Sequence, residues 1–273
     1  MEVCIPDDFD PEKIMDSGQC FRAVRLEDGS FRFLTGDQAV YLRRTGEERW
    51  EVSCGREIWE RVWRPYFDLG RSYRAVREKI PARDTFLQEA ARTGAGIRIL
   101  RQDPWETLLT FIISQRKSIP AIRAMVEELS RQYGTELRTP VETLYAFPTP
   151  RQLKDATVED YIDCKAGYRA PYLRDAVERV LAGETDLEAM AALPDQELLT
   201  ALEEVKGVGV KVASCVALFA YGRTGCAPVD TWISKIIRKK YRGRDPFARY
   251  GDGAGIMQQY FFYYALRHKA ETA

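Results

Sequence analysis

The sequence lacks the residue spacings that hold metal cofactors and has no segment long enough to cross a membrane. It contains a single histidine, His268, and six scattered cysteines without a C-x-x-C pair. Zinc sites and four-cysteine iron–sulfur clusters need closely spaced Cys or His ligands, so the sequence argues against both. No apolar run reaches bilayer length, and the first residues have no basic or apolar leader. We therefore expect reduced cysteines and a cytoplasmic protein.

The chain also lacks net charge, because 41 Lys and Arg residues balance 41 Asp and Glu residues. A strongly basic composition is the usual sign of a nucleic-acid-binding protein, and it is missing here. Any polyanion must therefore be bound by a local patch of positive charge. With 273 residues, 45% of them hydrophobic, the chain can bury a full core as one large domain or two.

The spacing of apolar residues divides the chain into a short β part and a long α part. Residues 19–54 alternate with a period of two between short glycine-containing turns, which predicts an antiparallel meander. From residue 56 the period becomes helical, and everything after about residue 80 is predicted helical. The predicted class is α+β, with a small antiparallel sheet domain over 1–95 and a helical domain over 96–273.

Particular helix limits follow from local signals in the α part. Pro104 is expected at the first position of a helix after Asp103, and Asp195 is expected to cap a helix that runs to residue 205. Leu144, Leu153 and Tyr161 are expected in short helices. A strongly aromatic helix is predicted over residues 255–268.

Residues 202–218 have the pattern of two helices joined by a glycine hairpin, within a motif spanning about 195–221. Gly207 and Gly209 can adopt positive φ, and a hairpin that opens a helix presents free N–H groups to a phosphate. Lys211 lies in the first turn of the second helix, where a cation is electrostatically unfavourable. Asp230 follows at the start of another helix. The alternatives are that the glycines serve only tight packing and that Asp230 is only an N-cap.

Several ordered motifs extend this pattern over nearly the whole chain. They are Ser-Gly-Gln-Cys-Phe-Arg at 17–22, Arg-Ile-Leu-Arg-Gln-Asp-Pro at 98–104, Gly-Tyr-Arg-Ala at 167–170, Gly-Val-Gly-Val-Lys-Val-Ala-Ser-Cys at 207–215, Pro-Val-Asp at 228–230, and Gln258 with Phe262. Together they resemble the helix-hairpin-helix (Gly/Pro-Asp) superfamily of DNA repair glycosylases. Within it the chain is most similar to the 8-oxoguanine DNA glycosylase/lyase branch of bacterial type. The resemblance implies an N-terminal sheet like that of TATA-binding protein.

The resemblance implies a base-excision enzyme that flips a damaged base out of duplex DNA and removes it. Lys211 would be the amine nucleophile that forms an imine with the sugar and permits strand cleavage by β-elimination. Burial and the positive end of the helix would favour the neutral amine that the reaction needs. Asp230 would stabilise positive charge on the sugar, and no cofactor would be required.

Four residues would form the base pocket in this resemblance. Phe262 and Cys215 would cover the two faces of the base, Gln258 would bind its edge, and the Gly18 carbonyl would accept the N7–H that distinguishes 8-oxoguanine from guanine. Cys215 lies four residues after Lys211 and so on the same side of the helix. The alternatives are a buried structural cysteine, a core phenylalanine and an ordinary turn glycine.

The loops that fill the duplex gap match the family only in part. Tyr168 and Arg169 correspond to its wedge and to its contact with the orphaned base. Arg116 stands where the family has an asparagine that contacts the orphaned cytosine, and Ala121 stands where it has a second arginine. Arg116 could bind a base edge or equally a phosphate. These departures predict weaker discrimination for cytosine opposite the lesion.

The resemblance also allows a structural monovalent cation at the hairpin, held by the carbonyls of Glu203, Val205 and Val208. The partner would be double-stranded DNA with a damaged base, bound by a monomer that is nucleoid-associated if bacterial, with no membrane contact. The alternative functions are an alkylated-base (3-methyladenine type) glycosylase of the same superfamily, a non-catalytic helix-hairpin-helix DNA-binding protein, and a helical interaction protein. Lys211 counts against the first, and the joint occurrence of Lys211, Asp230, Cys215 and Phe262 counts against the others.

Overall fold

The computed structural model describes residues 1–268 and divides the chain into two compact units. The first unit contains Met1–Phe33, Val40–Arg101 and Gly222–Ala273, and the second contains Leu34–Ala39 and Gln102–Tyr221. The predicted domain limits, 1–95 and 96–273, follow the order of the chain and stay a prediction. Within residues 1–268 no helix combines the length and apolar character that a bilayer span requires.

The secondary structure is a small antiparallel sheet followed mainly by helices, as the α+β prediction has it. The strands are β1 (Glu2–Cys4), β2 (Val24–Arg25), β3 (Phe31–Thr35), β4 (Gln38–Arg44), β5 (Arg49–Val52), β6 (Glu136–Arg138) and β7 (Thr143–Tyr145). The helices are α1 (Pro11–Asp16), α2 (Arg56–Ile58), α3 (Arg64–Tyr66), α4 (Tyr73–Arg77), α5 (Thr85–Gly94), α6 (Pro104–Ser114), α7 (Ile119–Tyr133), α8 (Val158–Asp163), α9 (Ala170–Leu181), α10 (Asp195–Glu203), α11 (Val210–Phe219), α12 (Thr231–Tyr241) and α13 (Ala254–Arg267).

The N-terminal strands form a five-stranded sheet in the order β1-β5-β4-β3-β2. The pairs β1–β5, β4–β5 and β2–β3 are antiparallel. The prediction differs from the structure in two details. Residues 19–23 are not a strand, and β1 was not predicted. A three-residue strand is too short to show a period, and β1 is defined by its pairing with β5, in which Val3 lies opposite Trp50.

Aromatic side chains build the core of the first unit beneath this sheet. Trp59 and Trp63 lie on a π-helical turn, Trp59–Trp63, that joins α2 to α3, and both are buried. Phe33 packs edge-on against Phe67 at a centroid distance of 5.0 Å. Phe9 makes T-shaped contacts with Trp50 and Phe67, each at 5.2 Å. Such pairs contribute about 0.5–1.5 kcal/mol beyond the burial of their area.

The first unit also contains the last two helices. Helix α13 packs on α5, where the backbone of Gly94 lies against the ring of Tyr260; a Cβ at Gly94 would come within 2.6 Å of that ring. Phe86 of α5 makes a T-shaped contact with Phe261 at 5.1 Å. The predicted aromatic helix is therefore a core element that joins the C-terminal segment to the N-terminal one.

The second unit is helical, with one exception to the prediction. Helix α6 begins at Pro104 after the N-cap Asp103, as expected, and burial raises the pKa of the Asp103 carboxyl. Leu144, however, lies in β7, which pairs with β6, because Leu144 sits opposite Leu137 in a short hairpin. Leu153 lies in a turn, whereas Tyr161 is helical, in α8. Asp195 is the first residue of α10 and Pro194 is its cap, so that prediction was wrong by one position.

Candidate nucleic-acid interface and active site

The glycine hairpin lies between α10 and α11 and has the predicted form. Gly207 adopts a φ of +82°, and its backbone packs on the ring of Tyr172 so closely that a Cβ would clash with that ring. Gly209 has a φ of −106° and is the N-cap of α11, so it does not use the freedom of glycine. Because α11 has no side-chain cap, the N–H groups at its start, where Gly209 and Val210 are exposed, remain available to an anion.

Three contacts from the second unit hold the hairpin in place. The Asp175 carboxylate accepts a hydrogen bond from the Lys206 N–H at 3.0 Å, and the Gln115 amide donates to the Gly207 carbonyl at 3.1 Å. Tyr172 supplies the third contact through its ring. These contacts thus come from Gln115 and from two residues of α9.

Lys211 occupies the first turn of α11 and is half-buried. Its Nζ lies 5.3 Å from the centroid of the Phe111 ring, and Phe111 stacks on Phe219 with centroids 5.5 Å apart. Cys215 lies one turn further along α11 and is 3% exposed. The helix therefore places an amine at its accessible end and a buried thiol behind it on the same side, as the spacing predicted.

Asp230 is the N-cap of α12 in the first unit. Its Oδ1 accepts a hydrogen bond from the Ile233 N–H at 2.7 Å, and the side chain is part-buried. A cap of this kind stabilises a protein by about 1 kcal/mol and fixes the orientation of the carboxylate. The capping interpretation of Asp230 is thus confirmed, and it leaves the second carboxylate oxygen open for a further role.

Gly18, Gln258 and Phe262 come together in the first unit. Gly18 adopts a φ of +73°, and a Cβ at this position would lie 2.7 Å from Phe262 Cε1. Gln258 lies one turn before Phe262 on α13 and is 3% exposed, whereas Phe262 is partly exposed. The backbone of this turn thus packs directly on the Phe262 ring, and Gln258 lies on the same helix as that ring.

Gln19 fixes the turn that carries Gly18. Its amide nitrogen donates to the Ser17 hydroxyl at 2.8 Å and to the Arg98 carbonyl at 2.9 Å, and its oxygen accepts from the Leu100 N–H at 2.8 Å. Arg98 is fully buried and donates to the carbonyls of Phe67, Asp68 and Arg71. The motifs at 17–22 and 98–104 are therefore one hydrogen-bonded structure.

Arg116 and Tyr168 are exposed on two loops of the second unit. Arg116 has a φ of +51°, a left-handed conformation that costs a non-glycine residue about 1–2 kcal/mol. Tyr168 is 53% exposed and makes a T-shaped contact with Tyr172 at 6.3 Å. Both side chains are therefore accessible from solvent.

Arg169 is 6% exposed, unlike its neighbour Tyr168. Its guanidinium donates to the Ala166 carbonyl at 3.1 Å and to the Gln115 carbonyl, and it lies 4.3 Å from the centroid of the Tyr168 ring. The side chain thus joins the two loops. Its predicted contact with an orphaned base stays a prediction, because that contact requires the side chain to leave these carbonyls.

Lys117 adds a further link between the two loops. Its ammonium donates to the Lys165 carbonyl at 2.5 Å, and Lys165 has a left-handed φ of +66°. Burial lowers the pKa of Lys117, and the charges of Arg169 and Lys165 lower it further. Arg116, Lys117, Lys165 and Arg169 therefore form a local basic cluster in a chain without net charge.

The carbonyls proposed for a cation lie at the end of α10 and in the hairpin. That of Val205 accepts from the Val208 N–H at 2.9 Å, and a carbonyl oxygen keeps a second lone pair for an ion. Over residues 1–268 no group of three or more His, Cys, Asp or Glu side chains is arranged to hold a metal ion.

Sequence reasoning missed the residues that support the site: Gln19, Phe111, Gln115, Tyr172 and Asp175. Gln19 lies inside a recognised motif, so its role could have been inferred from that motif. The other four act through contacts between segments far apart in sequence, for which no local pattern exists.

Comparison with known proteins agrees with this geometry. Residues 3–108 match the family described as "8-oxoguanine DNA glycosylase, N-terminal domain". A "Probable N-glycosylase/DNA lyase" of Methanothermobacter thermautotrophicus is 30% identical, over 95% of this chain and 94% of the relative. The N-glycosylase/DNA lyase of Saccharomyces cerevisiae is 29% identical, over 84% of this chain and 67% of the relative.

A solved structure extends the similarity to three dimensions. The 8-oxoguanine glycosylase/lyase of Clostridium acetobutylicum, in complex with double-stranded DNA containing cytosine opposite 8-oxoguanine, is 36% identical with a TM-score of 0.90. The alignment covers 98% of each chain. The chain therefore belongs to the 8-oxoguanine DNA glycosylase family of helix-hairpin-helix N-glycosylase/DNA lyases.

Proposed function

We propose that this protein removes 8-oxoguanine from duplex DNA and then cleaves the strand at the resulting abasic site. The observation that carries the proposal is Lys211, a half-buried amine in the first turn of the helix that follows the glycine hairpin. A glycosylase without lyase activity needs no amine at this position.

The reaction can be written with Lys211 as the nucleophile. Its neutral amine attacks C1′ while the bond from C1′ to the base breaks, and the base leaves with the electron pair and takes up a proton. The nitrogen loses a proton and the sugar ring opens, which gives an imine between Lys211 and C1′. Removal of a proton from C2′ then expels the 3′ phosphate, and water hydrolyses the imine to release the enzyme.

Asp230 is suited to stabilise the positive charge that develops on the sugar as the base leaves. Its Oδ1 is held by the Ile233 N–H, so the carboxylate does not have to be oriented during the reaction. A preorganised charge of this kind is typically worth a factor of about 10²–10³ in rate.

Gly18, Gln258 and Phe262 are proposed to recognise the damaged base. The Gly18 carbonyl would accept the N7–H that 8-oxoguanine has and guanine lacks, and the Phe262 ring would stack on the base. Gln258 has a donor and an acceptor for the base edge. Cys215 is proposed to line the pocket through its position one turn after Lys211.

Gly207, Gly209 and the first turn of α11 are proposed to bind a DNA phosphate through their N–H groups. Tyr168 is proposed to enter the gap left by the base, and Arg116 with Arg169 to contact the orphaned partner. A monovalent cation on the carbonyls of Glu203, Val205 and Val208 would add positive charge beside the phosphate. A monomeric state and a cytoplasmic location stay predictions.

Borohydride trapping tests the proposal directly. The protein is incubated with a duplex holding one 8-oxoguanine opposite cytosine, and sodium borohydride is added to reduce the imine to a stable amine. We expect a covalent protein–DNA complex from the native protein and from Lys154→Gln, an exposed control, and none from Lys211→Gln. Absence of a complex with the native protein, or equal trapping by Lys211→Gln, would refute the imine mechanism.

A parallel arm with a 3-methyladenine duplex examines the alkylated-base alternative. Release of 3-methyladenine without any trapped complex would favour that alternative over 8-oxoguanine excision.

A further inference from the structure

Gln115 is the C-cap of α6 and lies between the loop of Arg116 and the glycine hairpin. Its side-chain nitrogen donates to the Ile112 carbonyl at 3.2 Å and to the Gly207 carbonyl at 3.1 Å. A primary amide carries two N–H donors, so both bonds can be made at once. One side chain thus joins the last turn of α6 to the hairpin.

The backbone of the same residue is bound from the other direction. The Gln115 carbonyl accepts a hydrogen bond from the buried Arg169 guanidinium, which is also bonded to the Ala166 carbonyl. Arg169 immediately precedes α9, whose Tyr172 and Asp175 contact the hairpin at Gly207 and Lys206. The two loops and the hairpin therefore form a closed ring of contacts. Gln115 contributes to it twice, because its carbonyl binds Arg169 and its side chain binds Gly207 of the hairpin.

The ring of contacts lies close in sequence to Lys211, the proposed nucleophile. Gly207 is four residues before Lys211, and α6, whose C-cap is Gln115, also supplies Phe111, whose ring centroid lies 5.3 Å from the Lys211 Nζ. A shift of the Arg116 loop would thus be passed by Gln115 to the hairpin and to the first turn of α11.

We propose that Gln115 is a positioning residue that couples the loop facing the orphaned base to the hairpin that places Lys211. The inference rests on the proposed function, since it assigns the two loops to the opposite strand and Lys211 to the chemistry. When Arg169 leaves the Gln115 carbonyl to contact a base, Gln115 keeps the loop and the hairpin together. Contact between the loops and the opposite strand then changes the rate of base removal as well as the affinity for DNA.

Gln115→Met tests the coupling because methionine has nearly the same shape and no donor. Single-turnover rates of 8-oxoguanine removal are measured with saturating enzyme, and affinity is measured separately with a duplex containing a tetrahydrofuran abasic analogue. We expect the rate constant to fall about 3- to 10-fold, the effect of losing the hydrogen bond that reaches the hairpin at Gly207, while affinity changes less than about 2-fold. Gln152→Met, which removes surface hydrogen bonds to Thr135 and Thr149, is the matched control and retains the native rate.

A double-mutant cycle with Arg169→Lys decides whether the two residues act together. In a coupled network the double variant is about as slow as the slower single variant. An unchanged rate in Gln115→Met, or a double variant slowed by the product of the two single effects, overturns the proposal. If Gln115→Met does not fold, Gln115→Glu replaces it, since a carboxylate of the same shape cannot donate to Gly207.

Hydrogen exchange of the DNA-free protein separates this inference from the proposed function. Gln115→Met should speed exchange of the amides of residues 206–212, and Gln152→Met should not. This outcome supports the link even if the native protein fails to process 8-oxoguanine, in which case the proposed function alone is wrong. Unchanged exchange in the hairpin overturns the link whatever the activity.

Discussion

Gly18→Ala should separate recognition of the damaged base from cleavage at an abasic site. The added Cβ would lie 2.7 Å from Phe262 Cε1, whereas two carbon atoms prefer about 3.5–4.0 Å. The ring must therefore move by about 1 Å, and a displacement of that size in a reacting geometry can cost about 100-fold in rate. We expect 8-oxoguanine removal to fall by about this factor.

The stability effect of Gly18→Ala has two parts. Alanine at a φ of +73° costs about 1–2 kcal/mol, and the overpacked contact with Phe262 adds about 1–3 kcal/mol. Gly29→Ala is a matched control, because Gly29 has a φ of +81° and nothing within 4 Å of its added Cβ. The control should lose only the backbone part of the free energy of unfolding, a shift in Tm of about 2–8 °C, and keep full activity.

The assay compares two substrates under single-turnover conditions, one with 8-oxoguanine opposite cytosine and one with a preformed abasic site. Only the first needs a stacked base, so Gly18→Ala should cleave the abasic duplex within about 3-fold of the native rate. If both activities fall equally, the substitution acts through general destabilisation. If Gly18→Ala removed 8-oxoguanine at the native rate, the Phe262 ring could be displaced without loss of activity, and the proposed pocket would be wrong.

Three further predictions concern the hairpin, the carboxylate and the Arg116 loop. Gly207→Ala should weaken duplex binding at least 10-fold in a fluorescence anisotropy titration, because φ is +82° and the Cβ meets Tyr172; Gly183→Ala, at a φ of +74° with open space around it, should bind normally. Asp230→Asn should retain the cap on Ile233 and the native Tm but remove the base about 10²–10³ times more slowly, whereas Asp230→Ala should also lose about 1 kcal/mol in denaturant unfolding. Arg116→Gly should raise the free energy of unfolding by about 1 kcal/mol by relieving a left-handed φ while lowering DNA affinity, and native excision rates opposite C, A, G and T should lie within about 10-fold; a strict preference for C would contradict the reasoning from Arg116 and Ala121.

The sequence was sufficient for the elements that carry a local signal. Gly207 lies at a positive φ, Asp230 caps α12, and the spacing from Lys211 to Cys215 puts both on one side of α11. Each of these properties is decided within about four residues. The α+β class and the aromatic last helix followed for the same reason.

Properties that depend on contacts between distant segments could not be predicted from the sequence. The burial of Arg169 depends on the carbonyl of Gln115, 54 residues earlier, and the strand containing Leu144 depends on its pairing with Leu137. Gly209 has an extended conformation because it caps a helix. The presence of glycine in the sequence does not show whether the residue is an extended cap or has a positive φ. Local periodicity has no access to such contacts.

The contact between Gly18 and Phe262 joins residues near the two ends of the chain, which has a consequence for synthesis on the ribosome. A chain is synthesised from its N-terminus, so Gly18 is made before α13, the last described helix, and cannot contact Phe262 until that helix is made. A product that stopped after residue 253 would contain Lys211 and Asp230 and would lack Gln258 and Phe262. It would carry the reactive amine without the residues proposed to select a damaged base, and it would also lack the packing of α13 on α5. Completion of α13 therefore supplies its packing on α5 and the residues proposed to select the substrate at the same moment.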